Sequence, residues 1–204
     1  MDDIKQLPIE LLWQSFLAGD DRSFSIIYER YAGSLLTYGR KFNIDNELVG
    51  DALQEVFVDL YLKRDRFGKQ IKNLKAYLFI ALKNNLLKKI NHRKKWQFQV
   101  IEGKGDELEF STEYNIQEYL IEKELSKEIQ QKLQAAVAGL SPKQKEIIYL
   151  KFEEELDYPE IARVLKIGVE SARKQIYRAI KTLRETIDTK ILSNFFLIFL
   201  KKSR

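Results

Sequence analysis

Hydrophobic residues three and four apart recur along almost the whole chain, and this spacing constrains the fold more than any other feature. In "LPIELLWQSFLAGDDRSFSIIYERYAGSLLTYGRKF" the apolar and aromatic residues keep the helical interval, with Gly19 and Asp20 breaking it early. The interval continues through "DNELVGDALQEVFVDLYLKRDRF" and "NLKAYLFIALKNNLLKKINHRKKW", then returns near Ile116 through "LIEKELSKEIQQKLQAAVAGL". "SPKQKEIIYLKFEEEL" opens with Ser141 as N-cap and Pro142 in the first turn, a strong helix start. No convincing strand and no internal repeat is present. An all-α chain is expected.

The composition removes several function classes. With 204 residues there is material for one large domain or two small ones of about 100 each. No cysteine is present, so disulfides, thiolate metal sites and thiol nucleophiles are excluded. The one histidine, His92, leaves no cluster for zinc or for a catalytic triad. Nine glycines form neither a GxGxxG nor a GxxxxGK[ST] loop, so no phosphate-cradling motif and no cofactor signature is present. The start, "MDDIKQLPIE", lacks the apolar core of a signal peptide, and "ILSNFFLIFL" is half the length needed to span a bilayer as a helix. A cytoplasmic location is the default expectation.

Charge is distributed unevenly. From Arg66 to Ile101 there are ten Lys or Arg and no acid; after Trp96 up to Glu124 there are eight acids against two lysines. From Arg163 to Arg184 seven bases face one acid. Two basic blocks around an acidic bridge fit two nucleic-acid-facing modules joined by a segment that avoids nucleic acid, although solvated helix faces carry such charge too. The expected layout is two small helical domains, 1–96 and 125–190, joined by an acidic flexible linker, 97–124, with a hydrophobic-basic tail at 191–204.

Within "DALQEVF" and its continuation, helix rotation puts Leu53, Val56, Phe57 and Leu60 on one buried face. The opposite face carries Asp51, Gln54 and Glu55 around two aliphatics, Val58 and Leu62. A greasy strip ringed by acids, pointing away from the core, fits a partner-binding surface. In the long basic helix, Tyr77, Asn84, Lys88, Asn91 and Lys95 fall along one outward ridge, while Phe79, Leu82, Leu86 and Ile90 face inward. Asparagine offers paired donor and acceptor to a base edge, lysine neutralises phosphate, and an aromatic ring can stack on an unpaired base. A tyrosine such as Tyr77 is more often a core residue than a stacking platform.

"DYPEIARVLKIGVESARKQIYRAIKTLRE" has the layout of a helix-turn-helix. A short helix holding Ile161, Ala162 and Leu165 is followed by the turn "KIG" and a longer helix from Val169. Val169, Ala172, Ile176, Ala179, Ile180 and Leu183 lie on its inner side. Ser171, Lys174 and Gln175 are the candidate base readers; Arg178 and Lys181 suit phosphate.

Taken in order, "GDDRSFSIIYERY", "DALQEVFVDLY", "LKAYLFIALKNN" and "LSPKQKEIIYLKFEEELDYPEIARVLKIGVESARKQIYRAIKTLRE" resemble the motifs of bacterial RNA polymerase sigma factors of the extracytoplasmic-function (ECF) group. The resemblance implies a factor, not an enzyme, that binds core RNA polymerase and promoter DNA and directs transcription initiation, with no cofactor and no small-molecule substrate. Its D-x-x-Q-E-x-F helix implies polymerase docking by Asp51, Gln54, Glu55, Val58 and Leu62. It implies melting and reading of the minus-ten element by the loop "RDRFGKQIKN" and the long helix: Arg66, Lys69, Lys72, Tyr77, Asn84, Lys88, Asn91 and Lys95. It assigns the minus-thirty-five element to Ser171, Arg173, Lys174, Gln175, Arg178 and Lys181. An anti-sigma factor, often membrane-tethered, is the group's usual regulator.

Four positions depart from the family pattern. Lys88 stands where many relatives have an aspartate, and Gln175 replaces a frequent arginine. Lys166 replaces the usual turn glycine, implying about 1 kcal/mol of strain if its backbone is left-handed. Gly168 stands where a Ser or Thr cap is common, implying a less firmly started recognition helix. Two other functions compete with this reading. A free-standing helix-turn-helix regulator needs no polymerase contact; a nucleic-acid enzyme needs a third ligand beside Asp51 and Glu55, and none is evident. The tail either packs back on the second domain or meets an inhibitor or membrane surface.

Overall fold

The computed structural model describes residues 3–67, 71, 73–97, 109–111 and 127–187, with the side chains of 3, 94–97, 127–130, 133, 134 and 186 outside the described set. All regular structure among these residues is helical. The chain divides into two compact units, residues 1–108 and 109–204.

In the first unit a short 3-10 turn, Asp3–Gln6, precedes α1 (Ile9–Leu17), α2 (Asp21–Arg40), α3 (Asn46–Leu62), the single turn α4 (Arg64–Phe67) and α5 (Leu74–Gln97). Helices α2, α3 and α5 pack against one another, and α1 lies on α2. The break at Gly19 and Asp20 is a cap: the Asp20 carboxylate accepts from Arg22 N at 3.2 Å and from Ser23 Oγ at 2.7 Å, and the Ser23 bond holds its carboxyl below the usual range. Asp45 begins α3 in the same way, accepting from Glu47 N at 3.0 Å. Leu12, Phe16, Ile27, Leu35, Tyr38, Val49, Ala52, Leu60, Phe79, Leu82 and Leu86 fill the core. Each such side chain contributes on the order of 1.5–3 kcal/mol.

The end of α2 meets the start of α3 at Gly39. A Cβ there would stand 2.5 Å from Cγ1 of Val49, itself fully buried. Only hydrogen allows this approach.

The second unit contains α6 (Lys127–Ala138), α7 (Pro142–Ile148), a π-helical segment (Tyr149–Glu153), α8 (Tyr158–Leu165) and α9 (Val169–Thr186). Ser141 caps α7 in a capping box with Gln144, as the Ser-Pro pair predicts. The widened turn leaves Glu154 N bonded to Tyr149 O at 3.2 Å, and the buried Tyr149 hydroxyl donates to Glu154 Oε1 at 2.7 Å. The wider turn lets that carboxylate be buried with a partner.

Both ends of α8 are fixed. Asp157 and Glu160 form a reciprocal capping box, Glu160 N to Asp157 Oδ1 at 2.7 Å and Asp157 N to Glu160 Oε2 at 2.8 Å. At the other end Lys166 is left-handed, φ 54° and ψ 45°. Ile167 N donates to Ala162 O at 2.9 Å and Lys166 N to Arg163 O at 3.3 Å, a Schellman closure built on a residue with a Cβ. Gly168 starts α9 with no side-chain cap, as its composition predicts. The small buried residues Ala162, Ala172 and Ala179 let the two helices pack closely.

Two expectations need adjusting. Val169 is partly exposed, since it sits in the uncapped first turn of α9. The expected linker 97–124 is packed at one point: Phe110 is buried within the second unit. Residues 98–108 and 112–124 of that linker, and the tail 191–204, lie outside the described residues.

Gly39→Ala is expected to lower stability by about 1–3 kcal/mol through overpacking on Val49, read by denaturant unfolding. Lys166→Gly is expected to raise it by about 0.5–1 kcal/mol, because relief of left-handed strain exceeds the added chain entropy.

Candidate polymerase and nucleic-acid interfaces

Helix α3 is apolar on two sides, and only one is buried. Leu53, Val56, Phe57 and Leu60 are inside, while Val58 is 48% and Leu62 70% exposed. Asp51, Gln54 and Glu55 are exposed around them, so the expected strip stands on the surface of the first unit. Tyr61 flanks it: its hydroxyl donates to Asp21 Oδ1 at 3.0 Å, and its ring lies 5.1 Å from Phe24 and 5.5 Å from the Arg64 guanidinium. Tyr28 of α2 is also partly exposed, its ring 4.7 Å from Phe57.

The two acids of the strip are not equivalent. Asp51 makes no ion pair among the described residues. Glu55 instead reaches across to α5, pairing with Lys89 Nζ at 2.5 Å and accepting from Asn85 Nδ2 at 2.9 Å. Those two bonds, Lys89 first, hold its carboxyl below the usual glutamate range. Helices α3 and α5 pack side by side, and Glu55 lies at their seam while remaining exposed.

Along α5, Asn84 and Lys88 are exposed as the ridge predicts, and Arg66 of α4 is exposed as well. Asn91 is half-buried, with Oδ1 shielded and without a hydrogen bond. Tyr77 does not stand free. Its ring meets Phe67 edge-on at 5.3 Å, Phe67 lies 6.2 Å from Trp13, and burial raises its phenol above the usual value. Rotation places Tyr77 on the outward ridge, but α4 folds over that end of the helix. Lys69 and Lys72 lie outside the described residues, as does the side chain of Lys95.

On α9, Ser171, Lys174, Arg178 and Lys181 are exposed and Gln175 is half-buried. Lys181 lies 3.9 Å from Glu185, one turn on. Arg173 is exposed but engaged: its Nη1 is 3.2 Å from Glu170 Oε1 and its guanidinium lies 5.5 Å from the Tyr158 ring. Tyr177, absent from the expected set, is 69% exposed between Lys174 and Lys181. Its spacing from both lysines was visible in the sequence; its exposure was not.

Among the described residues no group of three or more His, Asp or Glu is placed to hold a metal ion, and no helix is long and apolar enough to cross a membrane.

Comparison with known families matches residues 27–96 to sigma-70 region 2 and residues 130–183 to sigma-70 region 4, together more than half of the chain. The chain belongs to the sigma-70 family. It is a sigma factor, a non-enzymatic initiation factor that binds core RNA polymerase and promoter DNA. No curated protein matches it. Solved structures share its fold, two of them as follows. CnrH, determined with the cytosolic domain of CnrY, is 21% identical, aligns over 86% of this chain and 94% of its own, and has a TM-score of 0.52. The sigma factor RpoE, determined with the anti-sigma factor NepR from Bartonella quintana, is 18% identical over 82% and 98%, with a TM-score of 0.53. In this sigma factor the region 2 match takes in α3 and α5, and the region 4 match takes in α8 and nearly all of α9.

A lowered carboxylate contributes fully above the ordinary glutamate range, and its contribution is lost as pH falls through the folded value. An NMR titration is therefore expected to place the Glu55 midpoint below that of an ordinary glutamate, and Lys89→Ala to move it back up.

Proposed function

We propose that this chain is a sigma factor of the ECF group, working in the cytoplasm, whose domain 1–96 docks on core polymerase and reads the minus-ten element. A domain at 125–190 reads the minus-thirty-five element, with the acidic linker 97–124 between them. The exposed Val58–Leu62 strip carries the docking assignment. Fully covering an aliphatic side chain is worth about 1.5–3 kcal/mol, whereas an exposed ion pair is worth about 0–1 kcal/mol. Val58 and Leu62 thus supply most of the affinity, with Asp51 and Gln54 orienting a cationic partner surface. Glu55 contributes only by exchanging Lys89 for a partner cation.

In the minus-ten role, Arg66, Lys69, Lys72, Lys88 and Lys95 neutralise phosphate, and Asn84 and Asn91 offer amides to unpaired bases. Base extrusion costs a few kcal/mol, shared between this surface and the polymerase. Tyr77 supports the surface from beneath by packing on Phe67. In the minus-thirty-five role, Ser171, Lys174 and Gln175 read base edges, while Arg178 and Lys181 hold phosphate. Arg173 positions the helix start through Glu170 and Tyr158. The two solved relatives are each held with a regulatory partner, and an anti-sigma factor covering the α3 strip is the corresponding regulator here.

Asp51→Lys with Leu62→Asp is expected to lower retention on core polymerase at least tenfold with an unchanged thermal melt. Retention equal to the native protein's removes the docking assignment. Lys174→Ala with Gln175→Ala is expected to leave polymerase binding intact and to lose about 1–3 kcal/mol of discrimination per base contact at the upstream element, read as transcript yield across a promoter library.

A further inference from the structure

Helix α5 carries a lysine that its outward ridge does not include. Asn84 and Lys88 stand on that ridge in solvent, and Lys89 lies one residue on from Lys88, about 100° further round the helix. That step carries it to the α3 side, where its ammonium pairs with the Glu55 carboxylate. Asn85 Nδ2 donates to the same carboxylate at 2.9 Å. Glu55 therefore belongs to two surfaces at once, the acidic strip of α3 and the basic flank of α5.

The contact opens at little cost. The Lys89 side chain is 23% and the Glu55 side chain 55% exposed. An ion pair so accessible to water is worth at most about a factor of five. Asn85 Oδ1 is shielded and makes no hydrogen bond, so the closed arrangement satisfies that amide on its donor side only. Lysine joins a compact charge to a flexible methylene stem, and needs no backbone change to leave the seam. Lys88, exposed beside it, adds to the positive field on Glu55, so the carboxylate also faces charge belonging to the ridge.

We infer that Lys89 is a further phosphate ligand of α5, masked by Glu55 in the free protein and released when a cationic group of polymerase takes that carboxylate. This rests on the reading that the α3 strip docks on polymerase and the α5 ridge meets DNA. Each of the two ligands takes one half of the pair. Polymerase replaces Lys89 at the carboxylate, and a phosphate replaces Glu55 at the ammonium. Whichever arrives first breaks the pair, and the second finds its own half already free. The two bindings thus favour each other, by the same factor in either order.

Two titrations of the protein test it, each with one ligand. Against mixed-sequence single-stranded DNA, Glu55→Gln is expected to bind about two- to fivefold more tightly than the native protein. Its slope of log K against log salt is expected to steepen by about 0.7, the increment of one added phosphate contact on a single strand. Combining it with Lys89→Met, which keeps the packed stem and removes the charge, is expected to cancel both gains. Against core polymerase without DNA, Lys89→Met is expected to bind about two- to fivefold more tightly than the native protein, because no internal cation competes for Glu55. That gain is expected to vanish in the Glu55→Gln background.

A DNA gain that Lys89→Met fails to cancel is the general effect of removing a negative charge and overturns the proposal. Polymerase binding by Lys89→Met no tighter than native overturns it too, because the pair is then a structural bridge only. Two further variants separate the masking from the reading beneath it. Weaker DNA binding by Lys88→Ala beside a silent Glu55→Gln overturns the masking and keeps the ridge; silence of both overturns both. In the same way, a silent Lys89→Met overturns the docking strip as well only if Asp51→Lys with Leu62→Asp also leaves polymerase binding unchanged. Should Glu55→Gln fail to fold, the Lys89→Met titration against polymerase decides alone.

Discussion

Everything in the first unit depends on α3 being packed on one half of its circumference only. Its inner side is held between α2 and α5 by Leu53, Val56, Phe57 and Leu60, and the close approach of Gly39 to Val49 fixes the angle at which it leaves α2. A helix held so firmly has no freedom to roll and hide its second apolar stripe. Val58 and Leu62 consequently remain in water. That exposure is unfavourable for the isolated chain, and it is the reason the strip is proposed as a docking surface.

The second unit solves a different problem, the orientation of the long helix α9 through a very short one. Helix α8 spans only eight residues, too few to be stable alone. Its capping box and its Schellman closure satisfy the backbone groups that such a helix would otherwise leave open at each end. The second device requires a left-handed residue, and the chain places Lys166 there. Its strain is borne by the surrounding core of Ile161, Ala162, Ala172 and Ile176.

The distribution of charge follows the same division of labour. Acids and bases on these surfaces are mostly exposed, so each pair contributes little to stability, and their value lies in steering and register. Glu55 is the exception. It joins α3 to α5, because Lys89 and Asn85 of α5 are its partners.

How much could be read beforehand divides along physical lines. The all-helical class, the buried stripe of α3, the exposed Val58 and Leu62, the Ser141 cap and the short-turn-long layout of α8 and α9 all follow from periodicity and local backbone chemistry. Such features depend on residues within one or two turns of each other, so the linear order contains them. Contacts between distant segments are different. That α4 covers Tyr77 with Phe67, that Glu55 faces Lys89 rather than solvent, and that Phe110 reaches Tyr149 depend on how elements pack, and rotation about a single helix axis carries no such information. The sequence by itself determined which faces are apolar, which are charged and where helices start. Only tertiary packing decided which of those groups are free to meet a partner, because burial and pairing are set by neighbours far away along the chain.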